Sequence, residues 1–225
     1  MGFLRVLFFV GLALLFLIPN LVIAQYTIPR SYDIGYISSD SLGRNIFGTA
    51  FVFKKNEVIT CAHVIDGLRA SLNNSKNPLI FYIPTERKNS YRLNIKSLDK
   101  NWDISILQAN DEISKFPLII DRDPIKSDIV GEIVLYCGFD IDKSNASQSP
   151  IIFCDTTTVI SVSSSPINSQ INFLNFKANI IGGYSGSPII NNRGEVVGML
   201  QANVYGIKSM KYLNTRAIRL NYFIH

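Results

Sequence analysis

The chain is poor in the residues from which many sites are built. It has three cysteines, two histidines and one tryptophan among 225 residues. Three cysteines are too few for a disulfide-dense scaffold. No C-x-x-C pair or histidine cluster offers a zinc site, so no metal or other cofactor is expected. Charged residues make up 17% of the chain, and its Lys and Arg are scattered, with no block of five or six. A net charge of +5 therefore marks a solvated surface, and binding to nucleic acid or an anionic membrane has only this surplus in its favour. No segment carries a sustained helical period, and no internal repeat is present. With only His63 and His225 available, histidine-dependent chemistry has almost no choice of residue.

Apolar side chains, by contrast, are plentiful at 47%. The length suits one large domain or two small ones with ample core. Part of the apolar excess lies in residues 1–24, MGFLRVLFFVGLALLFLIPNLVIA. Arg5 precedes an apolar run from Val6 to Ile18, Pro19 and Asn20 break it, and Val22-Ile23-Ala24 offers a cleavage site before Gln25. This is the three-part pattern of a secretory signal peptide. The expectation is a secreted or periplasmic chain beginning at Gln25, with no stable membrane anchor once residues 1–24 are removed. The alternative is an uncleaved N-terminal anchor, against which the unbroken run falls short of the roughly 20 residues a span needs. In an oxidising compartment Cys137 and Cys154 can pair, or remain two buried thiols. Cys61, inside VITCAHVI, reads as a buried small hydrophobe.

Short runs rich in Val, Ile, Phe, Tyr and Thr recur along the chain: GTAFVF (48–53), EVITCAHVI (57–65), LIFYIP (79–84), YRLNIKSL (91–98), DISILQA (103–109), GEIVLYCGF (131–139), TTTVISV (156–162), SPIINN (187–192) and EVVGMLQA (195–202). Turn residues separate them, which predicts an all-β sandwich or barrel. The polar, proline-containing stretch DRDPIKSD (121–128) reads as a connection between two halves, 25–122 and 123–225.

Three segments carry chemistry. In GGYSGSP (182–188), glycines and a proline bracket Ser185, so a tight turn can set its hydroxyl beside backbone N–H donors. Acyl transfer to serine needs that arrangement of nucleophile and oxyanion hole. An ordinary glycine-rich turn is the plainer alternative. In VITCAHVI, His63 closes a β-branched strand and precedes a turn at Ile65-Asp66-Gly67, a position suited to a general base or to a structural histidine. In NWDISIL, Asp103 opens an apolar strand, where a poorly solvated carboxylate needs a partner. Asp99, in the polar LDKN, is its solvated competitor.

Taken together, in the order His63, Asp103, Ser185, these segments resemble the trypsin-like (chymotrypsin-fold) serine peptidases, and among them the HtrA/Deg-type protease domain. GTAFVF with VITCAHV, DISIL, and GGYSGSP with IINNRGEVVGM carry the resemblance, which spans roughly residues 45–218. The order also excludes an α/β-hydrolase, whose serine comes first. The resemblance implies two antiparallel six-stranded β-barrels with the site between them. It also implies roles: Ser185 as nucleophile, His63 as base, Asp103 as its orienting partner, and the N–H groups of Gly183 and Ser185 as oxyanion hole. Asn179, Ile180, Leu200, Gln201 and Ala202 would wall the substrate pocket, with no carboxylate there to select Lys or Arg. Protein or peptide substrates follow, while oligomeric state is not legible.

Two departures from the family pattern stand out. Tyr184 replaces the Asp that receives a new N-terminal ammonium in digestive enzymes, and equally the Asn of HtrA-type enzymes. No PDZ-like domain fits after Ile218. Tyr184 and the short C-terminal segment RLNYFIH, where the family has a helix, leave open a catalytically silent relative that serves as a binding module.

Overall fold

The computed structural model describes residues 33–40, 42–71, 79–84, 90–123, 129–141, 150–178, 180, 182–205 and 212–224, so the expected signal segment lies outside the described residues. Six strands form a first closed barrel: β1 (Ile34–Ser38), β2 (Gly48–Lys54), β3 (Glu57–Thr60), β4 (Leu79–Tyr82), β5 (Ser90–Asp99) and β6 (Ile104–Ala109), in the order β1-β2-β3-β6-β5-β4. Six more close a second: β7 (Ile133–Phe139), β8 (Ile152–Ser164), β9 (Asn172–Phe176), β10 (Pro188–Ile190), β11 (Val196–Tyr205) and β12 (Tyr212–Ile218), in the order β10-β11-β12-β9-β8-β7. Neighbouring strands in both barrels run antiparallel. This is the chymotrypsin-like double barrel that the motifs imply.

Burial along the strands follows from their places. On β5, Leu93 is buried and Tyr91 and Ile95, two residues to either side, also pack on the core, while Arg92, Asn94 and other outward positions are exposed, as expected of a strand half in water. β2 is buried at six of its seven positions because its outer face lies against the second barrel. One hydrophobic cluster crosses that contact, joining Phe51, Phe81 and Leu107 of the first barrel to Cys137, Phe139, Met199 and Ile218 of the second. A second cluster, with Phe176, Leu174 and Val134, fills the interior of the second barrel. Full burial of each such phenylalanine contributes roughly 1.5–3 kcal/mol.

The chain between the barrels is bonded to both. Leu118 donates its N–H to Val52 O at 3.0 Å, and Ile119 and Asp121 bond to Val196, the first residue of β11, at 2.9 Å (Asp121 N–H to Val196 O) and 2.7 Å (Val196 N–H to Ile119 O). A parallel bridge pairs Ile120 with Val196. Cys137 and Cys154 sit directly opposite each other on β7 and β8 and form a disulfide, while Cys61 is a free, buried thiol.

The structure corrects the sequence expectations in one important place. EVITCAHVI is not strand to its end. β3 stops at Thr60, and Ala62–Ser71 form a helix, α1, that includes Asp66 and Gly67 where a turn was expected. Ala62, Ile65 and Leu68 recur at threefold spacing and form its buried face together with Val64. The β-branched residues concealed this period. DISIL begins its strand one residue late, at Ile104. β1, β9 and β12 are strands beyond the nine runs that the sequence picks out.

Candidate active site

Asp103 precedes β6 in the left-handed region, with φ 57°, a conformation that a short polar side chain tolerates. Asp99 shapes the approach by accepting the N–H groups of Asn101 and Trp102 at 3.0 and 3.2 Å. The Asp103 carboxylate then meets the first turn of α1. Its Oδ1 accepts the backbone N–H of His63 at 2.8 Å, and its Oδ2 faces His63 Nδ1 at 2.8 Å. The first N–H groups of a helix have no partner within it, and the positive end of the dipole favours a carboxylate there. One side chain thus caps the helix and orients the imidazole. With the shared proton on Nδ1, the neutral ring leaves Nε2 as an acceptor. The His63 side chain is half exposed and that of Asp103 about a quarter, so the pair lies at an open surface.

Behind this pair lies Cys61. Its thiol donates to Leu200 O at 3.3 Å, and burial, with the Asp103 charge nearby, pushes its pKa up. Cys61, His63 and Asp103 hold donor atoms within 4.8 Å of one another. The thiol, however, is wholly buried and already hydrogen-bonded.

Ser185 belongs to the second barrel. The loop that carries it is shaped by glycines whose conformations exclude side chains. Gly183 has φ 101° and Gly186 has φ 91°. A Cβ on Gly183 would collide with Phe139 O, and one on Gly186 with Thr49 O. Four successive carbonyls are held from within: Gly182 O by Ile141 N–H at 3.1 Å, Gly183 O by the Thr49 hydroxyl at 2.7 Å, Tyr184 O by Ser187 N–H at 2.9 Å, and Ser185 O by Thr49 N–H at 2.9 Å. The N–H groups of Gly183 and Ser185 take no partner among the described residues.

The Ser185 hydroxyl donates to Gln201 O at 3.2 Å and not to His63. Gln201 also reaches the first barrel, donating from Nε2 to Trp102 O at 2.6 Å, one residue before Asp103. Gly48 lies between the two halves: a Cβ there would fall 2.5 Å from Val64 Cγ2, beside His63, and 3.0 Å from Ser185 O. The expected pocket residues are mostly committed elsewhere. Ile180 and Leu200 belong to the core of the second barrel, and Gln201 is buried on its Trp102 bond. Asn179 and the Ala202 side chain lie outside the described residues. Tyr184 is half buried, its ring edge-on to Tyr136 with centroids 6.0 Å apart, and burial, with the Asp140 and Asp155 charges nearby, raises its pKa. Sequence reasoning missed Thr49 and the bridging role of Gln201, because a polar residue inside GTAFVF or VVGMLQA reads only as one step of a strand.

The trypsin-like peptidase domain model matches residues 48–199, about two thirds of the chain. No curated protein matches. Among solved structures, the chain is similar to an inactive form of Rv3671c from M. tuberculosis, at 19% identity and TM-score 0.60, covering 84% of this chain and 82% of that one. The active form of the same protease gives 18% identity and TM-score 0.61, covering 84% and 76%. A serine endoprotease from Yersinia pestis gives 20% and 0.60, covering 87% of this chain and 64% of that one. These likenesses are likenesses of fold. With the family model spanning the segments of His63, Asp103 and Ser185 inside the double barrel, the chain belongs to the trypsin-like peptidases, a family of serine endopeptidases.

Proposed function

We propose that the chain is an exported serine endopeptidase that cleaves protein substrates through an acyl-enzyme on Ser185. The observation that carries this reading is the His63 Nδ1 to Asp103 Oδ2 contact of 2.8 Å, which leaves Nε2 free to accept a proton. Rotation of the Ser185 hydroxyl away from Gln201 O frees it to attack the scissile carbonyl carbon. Its proton passes to His63 Nε2 while the carbonyl oxygen becomes an anion held by the N–H groups of Gly183 and Ser185. Collapse breaks the C–N bond, the leaving amine takes the proton from Nε2, and the acyl group remains on Ser185 Oγ as an ester. Water then attacks this ester, with His63 again the base, and releases the acid. Asp103 holds the ring and stabilises the imidazolium. The Cys137–Cys154 disulfide supports export, because such bonds persist in oxidising compartments.

Purified protein beginning at Gln25 should cleave casein and react at Ser185 with a fluorophosphonate probe. Ser185→Ala and His63→Ala should each lower turnover by about 10⁴-fold or more, because the triad acts as a unit. The hydroxyl's bond to Gln201 and the unusual Tyr184 favour a second reading, a silent binding module. An inert wild-type chain whose Ser185 stays unlabelled would establish that reading instead.

A further inference from the structure

We propose that the Thr49 hydroxyl, on β2 of the first barrel, is the positioning group that holds the oxyanion loop of the second barrel in its donor-presenting shape. This rests on the serine-peptidase reading. Thr49 is fully buried, and its polar atoms serve the seam. Its N–H donates to Ser185 O at 2.9 Å, its carbonyl accepts the Thr60 hydroxyl at 2.6 Å, and its own hydroxyl donates to Gly183 O at 2.7 Å. The hydroxyl oxygen also accepts Phe139 N–H at 3.1 Å, which occupies a lone pair and leaves its single proton for Gly183 O.

The oxyanion donors sit on the peptides 182–183 and 184–185, and Thr49 holds the peptide between them. The outer two are tied through backbone groups, Ile141 N–H and Ser187 N–H, and only the central one depends on a side chain. Without the hydroxyl, Gly183 O is left buried with no donor, a state that a peptide relieves by turning toward water. Glycine at 183 offers little resistance to that rotation, and both flanking N–H groups lose their aim with it. The carbonyl of a bound substrate loses less than the oxyanion, so the loss falls on the chemical step.

The test compares Thr49→Val, which keeps the β-branch and removes the hydroxyl, with Thr49→Ser, which keeps the hydroxyl. Removal of one oxyanion donor lowers kcat by about 10²–10³-fold, and a loosened pair should lose about 10–100-fold. We expect that loss in kcat for Thr49→Val with KM within about twofold, a matching loss of affinity for a peptide boronate, and recovery to near wild type in Thr49→Ser. Amide hydrogen exchange should quicken in residues 182–187 of Thr49→Val and not in β8 or β9. If Thr49→Val does not fold, Thr49→Ala takes its place in every arm. A valine variant with unchanged kcat, a loss expressed in KM alone, or no rescue by serine overturns the proposal. A wild-type chain that neither cleaves nor labels overturns the peptidase reading instead. In that case the exchange arm still decides on Thr49: equal exchange at 182–187 in wild type and variant rejects the clamp.

Discussion

At the scale of single residues, the site rests on side chains with two tasks each. Asp103 caps α1 with one oxygen and orients His63 with the other. Gly183 supplies an unpaired N–H and the backbone angle that aims it. Gly183→Ala should therefore lower kcat/KM by at least about 100-fold, close to the loss of an oxyanion donor. Steady-state kinetics on a peptide substrate will measure it. Cys61 is a different case, since burial keeps its thiol neutral. Its raised pKa means that the folded chain holds this proton while the unfolded chain releases it above about pH 8.5. Its contribution to stability is thus fully present below that pH and declines as pH rises, by about 1.4 kcal/mol per unit until the folded thiol itself ionises. Urea unfolding of the wild type and Cys61→Ala from pH 7 to 10 should show that slope in the wild type alone. Iodoacetamide at pH 7 should leave Cys61 unmodified until the chain unfolds. His63, Asp103 and Ser185 were legible in sequence because each stands out chemically from apolar or glycine-rich surroundings. Thr49 was not, since its importance comes from a residue 134 positions away.

At the scale of elements, strand content was readable from β-branched runs and turn punctuation, and the barrel count followed from resemblance. The helix was hidden because Val64 and Ile65 favour strands by propensity, and only tertiary burial of Ala62, Ile65 and Leu68 selects the helical period. Leu68 is 1% exposed, so Leu68→Ala should destabilise by about 2–5 kcal/mol. Thermal unfolding will show the loss, and His63 should lose its position with the helix. The β7–β8 pair carries the disulfide across a sequence separation of 17. Replacing both cysteines by alanine should cost about 3 kcal/mol, read as a lower urea midpoint. Whether Cys137 and Cys154 pair was open in the sequence, because register decides it and register depends on the closed barrel.

At the scale of the whole molecule, the candidate site is a seam. His63 and Asp103 come from one barrel and Ser185 from the other, and the bonds described between the barrels include those of Thr49 with Gly183, Ser185 and Phe139, Cys61 with Leu200, and Gln201 with Trp102. Gln201→Leu, which removes one of these without emptying its volume, should reduce kcat while leaving far-ultraviolet circular dichroism unchanged. The one disulfide among the described residues lies wholly within the second barrel. Apart from the peptide chain itself, nothing covalent spans the crevice. Two fragments, severed at the exposed Asp123 and mixed, would then have every non-covalent element needed to find each other, and the strength of their reassembly would measure directly what the seam alone is worth.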